Sequence, residues 1–145
     1  MIKVYKLSNG TEVKVHLQKK GTECSKTFFG INGYNDVYKL IIVAYGEKFT
    51  TTYHNSVANY GKPIKEQDIN DAVDCIVGDF MAYKDYPNIN EFLHEFGYDF
   101  DDDVEYKRGV RAYNGCCSTY VRLGQMFTAD EVIELGNIAR GTEID

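Results

Sequence analysis

The chain has 145 residues, 43% apolar and 26% charged, with a net charge of -6. That length supports one domain with its own core and excludes a two-domain organisation as the starting point, and the composition is that of a folded chain rather than a disordered one. No apolar run approaches the length of a membrane span and no apolar leader opens the sequence, so a cytoplasmic address without membrane contact is expected.

The charge is unevenly placed. Through Lys65, lysines such as Lys3, Lys6, Lys14, Lys39 and Lys48 outnumber acids; from Asp74 to Glu105 the only Lys or Arg is Lys84. Such an asymmetry bears on partners and steering, not on fold. The aromatics are 12 Tyr and 8 Phe with no Trp, a set suited to half-buried surfaces and interfaces. Cys24, Cys75, Cys116 and Cys117 form no C-x-x-C pair, and vicinal Cys116 and Cys117 point in different directions on a helix. All four are therefore expected to be reduced thiols with no part in a zinc site.

Residues 2–17 read as a hairpin. Ile2, Val4 and Tyr5 lead to Ser8-Asn9-Gly10, and Val13, Val15 and Leu17 then alternate; Asn9-Gly10 is expected to make a type I′ turn. The polar run Gln18–Lys26 reads as a loop, and Thr27–Phe29 as a short strand before a glycine-punctuated turn. Val37–Tyr45 is nearly continuous in apolar residues, as a central strand requires. Gly46-Glu47 is expected to form a type II′ turn into the strand Phe49–His54.

From Glu66 the period becomes helical, with Ile69, Ala72, Val73, Ile76, Val77 and Phe80 on one stripe and Asp71, Asp74 and Asp79 between them; Tyr86-Pro87 is expected to close this helix. A short helix carries Ile89, Phe92, Leu93 and Phe96 after an Asn cap and ends at Gly97. Asp101–Asp103 occupy the first turn of the next helix, where unsatisfied N–H groups favour anions. Tyr106, Val110, Tyr113, Cys117, Tyr120, Gly124 and Phe127 make its stripe, with Asn114-Gly115 as the place where it divides. Thr128 and Glu131 form a capping box for a last helix with Val132, Ile133, Leu135 and Ile138. The expectation is a single α+β domain over residues 1–145: antiparallel hairpins forming one sheet in residues 1–55, followed by three to four helices packed on it in residues 66–140.

No catalytic signature is present, and the chain is not expected to be an enzyme. His16, His54 and His94 show no metal-ligand spacing. Asp99-Phe100-Asp101-Asp102-Asp103 invites a calcium reading, but the loop glycine and the bidentate glutamate are replaced by Val104 and Val110. No metal and no cofactor are expected. What remains is an acidic segment, Glu91, Glu95, Asp99, Asp101, Asp102, Asp103 and Glu105, with Tyr98, Phe100 and Tyr106 interleaved. Interspersed signs are usual on a merely soluble surface, whereas concentrated negative charge suits docking on a basic groove.

Phe92…Phe96-Gly97-Tyr98-Asp99, the acid-rich helix start, Tyr113…Cys117, and Phe127-Thr128 before an acidic helix together resemble a set of small phage-encoded early-region proteins, over residues 66–140. The resemblance implies a phage or prophage setting, the cytoplasm of the host cell, and a role in blocking host defence of the kind anti-CRISPR proteins perform. The expected function is a non-enzymatic inhibitor that binds a host protein through its basic nucleic-acid-binding surface, a CRISPR effector among the candidates. Partner contact is expected at Glu91, Glu95, Tyr98, Asp99, Phe100, Asp101, Asp102, Asp103, Glu105 and Tyr106. The rival reading is a phage DNA-metabolism accessory that binds single-stranded nucleic acid through the basic, aromatic hairpins, where Tyr5, Phe28, Phe29, Tyr34 and Tyr38 lie near lysines, with Lys3, Lys6, Lys14 and Tyr5 in contact; net negative charge makes direct nucleic-acid binding the second choice.

Overall fold

A computed structural model of the protein describes residues 1–26, 32–55, 62–84, 88–115 and 117–141. Four antiparallel strands, β1 (Ile2–Lys6), β2 (Glu12–Lys26), β3 (Asn32–Ala44) and β4 (Glu47–Asn55), pair in the order β1-β2-β3-β4. Helices α1 (Glu66–Tyr83), α2 (Ile89–Glu95), α3 (Asp103–Gly115), α4 (Cys117–Met126) and α5 (Ala129–Arg140) follow. The α+β class is as the sequence indicates, with the longest helical pattern divided into α3 and α4 beside Asn114-Gly115. The proposed strand at Thr27–Phe29 and the Tyr86-Pro87 stop lie outside the described residues.

Strand alternation sends one side chain in two toward the helices. Tyr5, Val13, Val15, Leu17, Tyr38, Leu40, Ile42, Phe49 and Tyr53 are buried on that inner face, in register through Tyr5↔Val13, Leu17↔Leu40 and Ile42↔Phe49. The α1 stripe, together with Tyr120, Leu123, Phe127, Val132, Leu135 and Ala139 from and beside α4 and α5, completes the same core cluster.

Three local expectations are corrected. Gln18–Lys26 is not a loop: β2 continues to Lys26 and pairs with β3 as far as Lys26↔Asn32, after a register shift between Lys19 and Gly21. Among the described residues β1 reaches only His16 on β2 and β4 only Asp36 on β3, so the outer part of this ribbon pairs there only within itself and leaves no half-buried alternation in the sequence. The first hairpin turn is not type I′. Only Gly10 has positive φ, at 86°; the Gly10 amide donates to the Leu7 carbonyl, and Asn9 Oδ1 accepts from the Thr11 amide at 2.9 Å. This is a three-residue loop with glycine in the left-handed position.

The second turn sits one residue earlier than expected, with Tyr45 (φ 54°) and Gly46 (φ 71°) both left-handed and Ala44 paired to Glu47, the pattern of type I′. A non-glycine residue there costs on the order of 1–2 kcal/mol. Tertiary contacts offset it: the Tyr45 hydroxyl donates to Glu131 and its ring meets Phe127 edge-on at 5.9 Å. The same hydrogen bond, with those from Thr128 and Asn9, holds the Glu131 carboxyl below its ordinary value despite opposing desolvation.

Helix α5 lies close on α1 because Gly136 has no side chain. A Cβ there would fall 2.7 Å from Val77 Cγ1 and 3.1 Å from Val77 Cβ, and valine is stiff about χ1 in a helix. Gly136→Ala is therefore expected to lower stability by about 2 kcal/mol, roughly 4–8 °C in Tm, despite the better helix propensity of alanine. Adding Val77→Ala should recover less than additive loss in a double-mutant cycle read by thermal melting.

Burial raises the Tyr38 and Tyr53 hydroxyls to about 12, with the negative charges of Asp36 and Asp68 adding at Tyr38 and Cys75 and Asp71 adding at Tyr53. The folded state holds these protons more tightly than the unfolded chain, whose tyrosines ionise near the ordinary 10.0. Their contribution is complete below that pH and lost as pH rises toward 12. Denaturant midpoints should hold steady up to about pH 10 and then fall, with a shallower fall in a Tyr38→Phe/Tyr53→Phe variant.

Candidate interaction surface at the α2–α3 corner

Helix α2 begins at Asn88, whose side chain accepts from the Asn90 amide at 2.8 Å, and ends in a tight left-handed cap. Gly97 has φ 75°; its amide donates to the His94 carbonyl at 3.3 Å, and the Tyr98 amide donates to the Leu93 carbonyl at 2.9 Å. These are the two bonds of the Schellman arrangement, which reverses the chain and turns Tyr98 back onto Leu93. Phe92 and Leu93 form a small core of their own with Tyr83, Ile89, Tyr98, Ala112 and Tyr113 packed around them. Gly109 of α3 makes the fit possible: a Cβ there would lie 2.2 Å from Leu93 Cδ2 and 2.9 Å from Tyr98 Cγ.

The carboxylates that follow divide by role. Asp99 Oδ1 accepts from the Asp101 amide at 2.8 Å, closing a local turn. Asp102 Oδ1 accepts from the Val104 and Glu105 amides, both at 3.0 Å, and caps α3. Asp103 and Glu105 stand in the first turn of α3, where the helix dipole favours them. Glu91, Glu95, Asp101 and Asp103 are exposed and have no hydrogen-bond or ion-pair partner among the described residues. Lys107, Arg108 and Arg111 are exposed farther along α3 and bound the acidic segment on one side.

Apolar side chains stand among these acids. Phe100 is 47% exposed and Tyr106 36%, their rings 6.2 Å apart; Phe96 is 48% exposed and Val104 70%. Phe100 and Tyr106 are thus accessible. Tyr98 is half-buried, its ring 6.1 Å from Phe92, and serves the small core. Phe96, which the sequence places on the apolar stripe of the short helix, is thus half exposed, and neither it nor Val104 was among the expected contact residues. The available signal for Val104 was its place in the first helical turn, off the stripe of Tyr106 and Val110.

The acids of α1 are less outward than their spacing suggests. Asp74 pairs with Arg140 at 2.7 Å, Asp79 accepts from the Tyr120 hydroxyl at 3.0 Å, and Asp71 accepts from Gln67 at 2.8 Å. Packing of α4 and α5 against α1 is what engages the first two. The aromatics of the rival reading are also displaced. Tyr5 and Tyr38 are 1% exposed, on the inner sheet face, and the Tyr5 hydroxyl donates to Asn70 Oδ1 at 2.6 Å, so neither offers a ring for base stacking. Phe28, Phe29 and the side chain of Tyr34 lie outside what the structure describes. His54 and His94 are exposed and His16 half-buried, in β4, α2 and β2. Among the described residues, no group of three or more His, Cys, Asp and Glu converges on a metal-sized site, and no helix is long and apolar enough to cross a membrane.

No family model, curated protein or solved structure matches the chain. The corner therefore stands on its own geometry.

Because its small core is a cluster of its own that shares Tyr83 with the main one, the corner should loosen independently. Gly109→Ala is expected to drive Tyr98 off α3 and lower hydrogen-exchange protection of the Tyr98 amide by on the order of tenfold or more, while protection in α1 and α5 is kept. Equal loss in α1 and α5 would show one cooperative unit instead.

Proposed function

We propose that this is a non-enzymatic binding protein that inhibits a nucleic-acid-handling host protein, docking through the α2–α3 corner. The observation that carries the reading is the exposure of Phe100, Val104 and Tyr106 among unpartnered carboxylates. Apolar anchors rimmed by charge are the usual anatomy of a protein-binding site, and the negative rim selects a basic partner and steers its approach. A groove that holds nucleic acid presents such a basic surface. In the phage setting implied by the resemblance of residues 66–140, the partner is a host defence protein, with CRISPR effectors among the candidates.

The roles of the carboxylates dictate the test. Asp102 is a helix cap, and its replacement would cost about 1 kcal/mol of local stability for reasons unrelated to docking. Asp101→Lys/Asp103→Lys with Phe100→Ala spares the cap and removes two rim charges and one anchor. The measurement is capture from nuclease-treated host lysate, followed by competition between this protein and nucleic acid for the purified captured partner. Wild type should displace the nucleic acid, and the triple variant should lose affinity by on the order of 100-fold, with most of the loss in the dissociation rate. Equal capture by wild type and variant, or a partner that keeps its nucleic acid when saturated, would sink the proposal.

A further inference from the structure

A second charged surface lies on the opposite side of the sheet and is independent of the corner. Lys3 and Lys19 point to the helical side, and both are consumed there: Lys3 pairs with Glu66 at 2.8 Å and Lys19 with the fully buried Asp36 at 3.3 Å. Lys6, Lys14, Lys39 and Lys48 alternate to the other face, and none forms an ion pair among the described residues. Strand parity places two carboxylates with them, Glu12 opposite Lys6 and Glu23 opposite Asn35, the latter four residues along β3 from the Lys39 position. Through the register Lys14↔Val43↔Lys48, two of these lysines stand two strands apart, about 9.6 Å, and Lys39 lies four residues along β3, about 13 Å away. Val43, 39% exposed, lies between Lys14 and Lys48, and Ile2 and Val4, 59% and 47% exposed, flank them on the edge strand β1.

We infer that this sheet face binds the phosphate backbone of nucleic acid without reading its bases. Unpaired ammonium groups at this spacing each meet a phosphate as a point charge. An acidic protein is the weaker match, because the face lacks the aromatic and Arg anchors on which protein interfaces depend; every Arg of the chain lies in the helical half. The net charge of -6 does not oppose this binding. Acids on the outer faces of the helices are more than one helix diameter away, about 10–12 Å, and the screening length at physiological salt is about 8 Å. Tyr5, Tyr38 and Tyr53 are turned into the core, so none of these three rings offers a platform to hold a base. Binding is then indifferent to sequence, steeply dependent on salt and similar for single and double strands.

The test is fluorescence anisotropy of the full chain with a labelled thymidine strand of about 20 nucleotides and a duplex of the same length. Neutralising about three to four phosphates predicts an affinity loss on the order of 20- to 50-fold for the single strand between about 50 and 200 mM salt. Lys14→Gln/Lys39→Gln, which leaves the core untouched, should weaken binding by on the order of tenfold and reduce the log–log salt slope by about 1.4. Tyr5→Phe should bind as wild type does, and so should Asp101→Asn/Asp103→Asn, which separates this face from the corner. The inference is overturned by no saturable binding at the lower salt, by binding that the Lys14/Lys39 variant retains, or by loss on Lys107→Gln/Arg111→Gln in place of the sheet variant.

Discussion

The burial of the α1 stripe against the inner residues of β2 and β3 fixes the orientation of most described side chains in the sheet. The described helices provide one layer, so one face of the sheet is covered and the other is left to solvent. Alternation along each strand converts that single fact into a sorting of residues: Tyr5, Tyr38 and Tyr53 inward, Lys14, Lys39 and Lys48 outward. Several polar groups on the covered side are engaged. Lys3 meets Glu66 and Asn70, Lys19 meets Asp36, and the Tyr5 hydroxyl meets Asn70, as burial of such groups demands.

The second consequence is the peripheral position of α2 and α3. They pack on each other through Gly109 and a Schellman turn, around a core that shares Tyr83 with the main one. A corner held in this way presents side chains without the main core depending on them. Phe100, Val104 and Tyr106 are exposed at little cost to the fold, and acids gather where the N-terminus of α3 favours them. Part of this acidity is structural, since Asp99 and Asp102 each bond backbone amides. The remainder is available for contact.

Together the poles describe a molecule with a basic sheet face and an acid-and-aromatic helical corner. On the two proposals, the corner meets the basic surface of a protein and the sheet face meets the phosphates of nucleic acid. The formal net charge conceals this arrangement, because it sums charges that screening keeps electrostatically separate.

The sequence by itself determined the elements whose signal is local. The period of α1, the cap glycine at Gly97, the Thr128–Glu131 capping box and the alternation of Val13, Val15 and Leu17 are each written within a few residues, and each is present as read. The acidic segment at residues 91–105 was legible for the same reason. Only the tertiary structure decided what depends on distant partners. The extension of β2 through Lys26 comes from pairing with β3, not from any pattern of its own. The left-handed Tyr45 is held by Phe127 and Glu131, more than eighty residues away. The inward turn of Tyr5 and Tyr38, which removes them from any binding surface, follows from which face the helices cover. Periodicity shows that a strand has two unlike faces; it takes the packed helices to say which one meets the solvent.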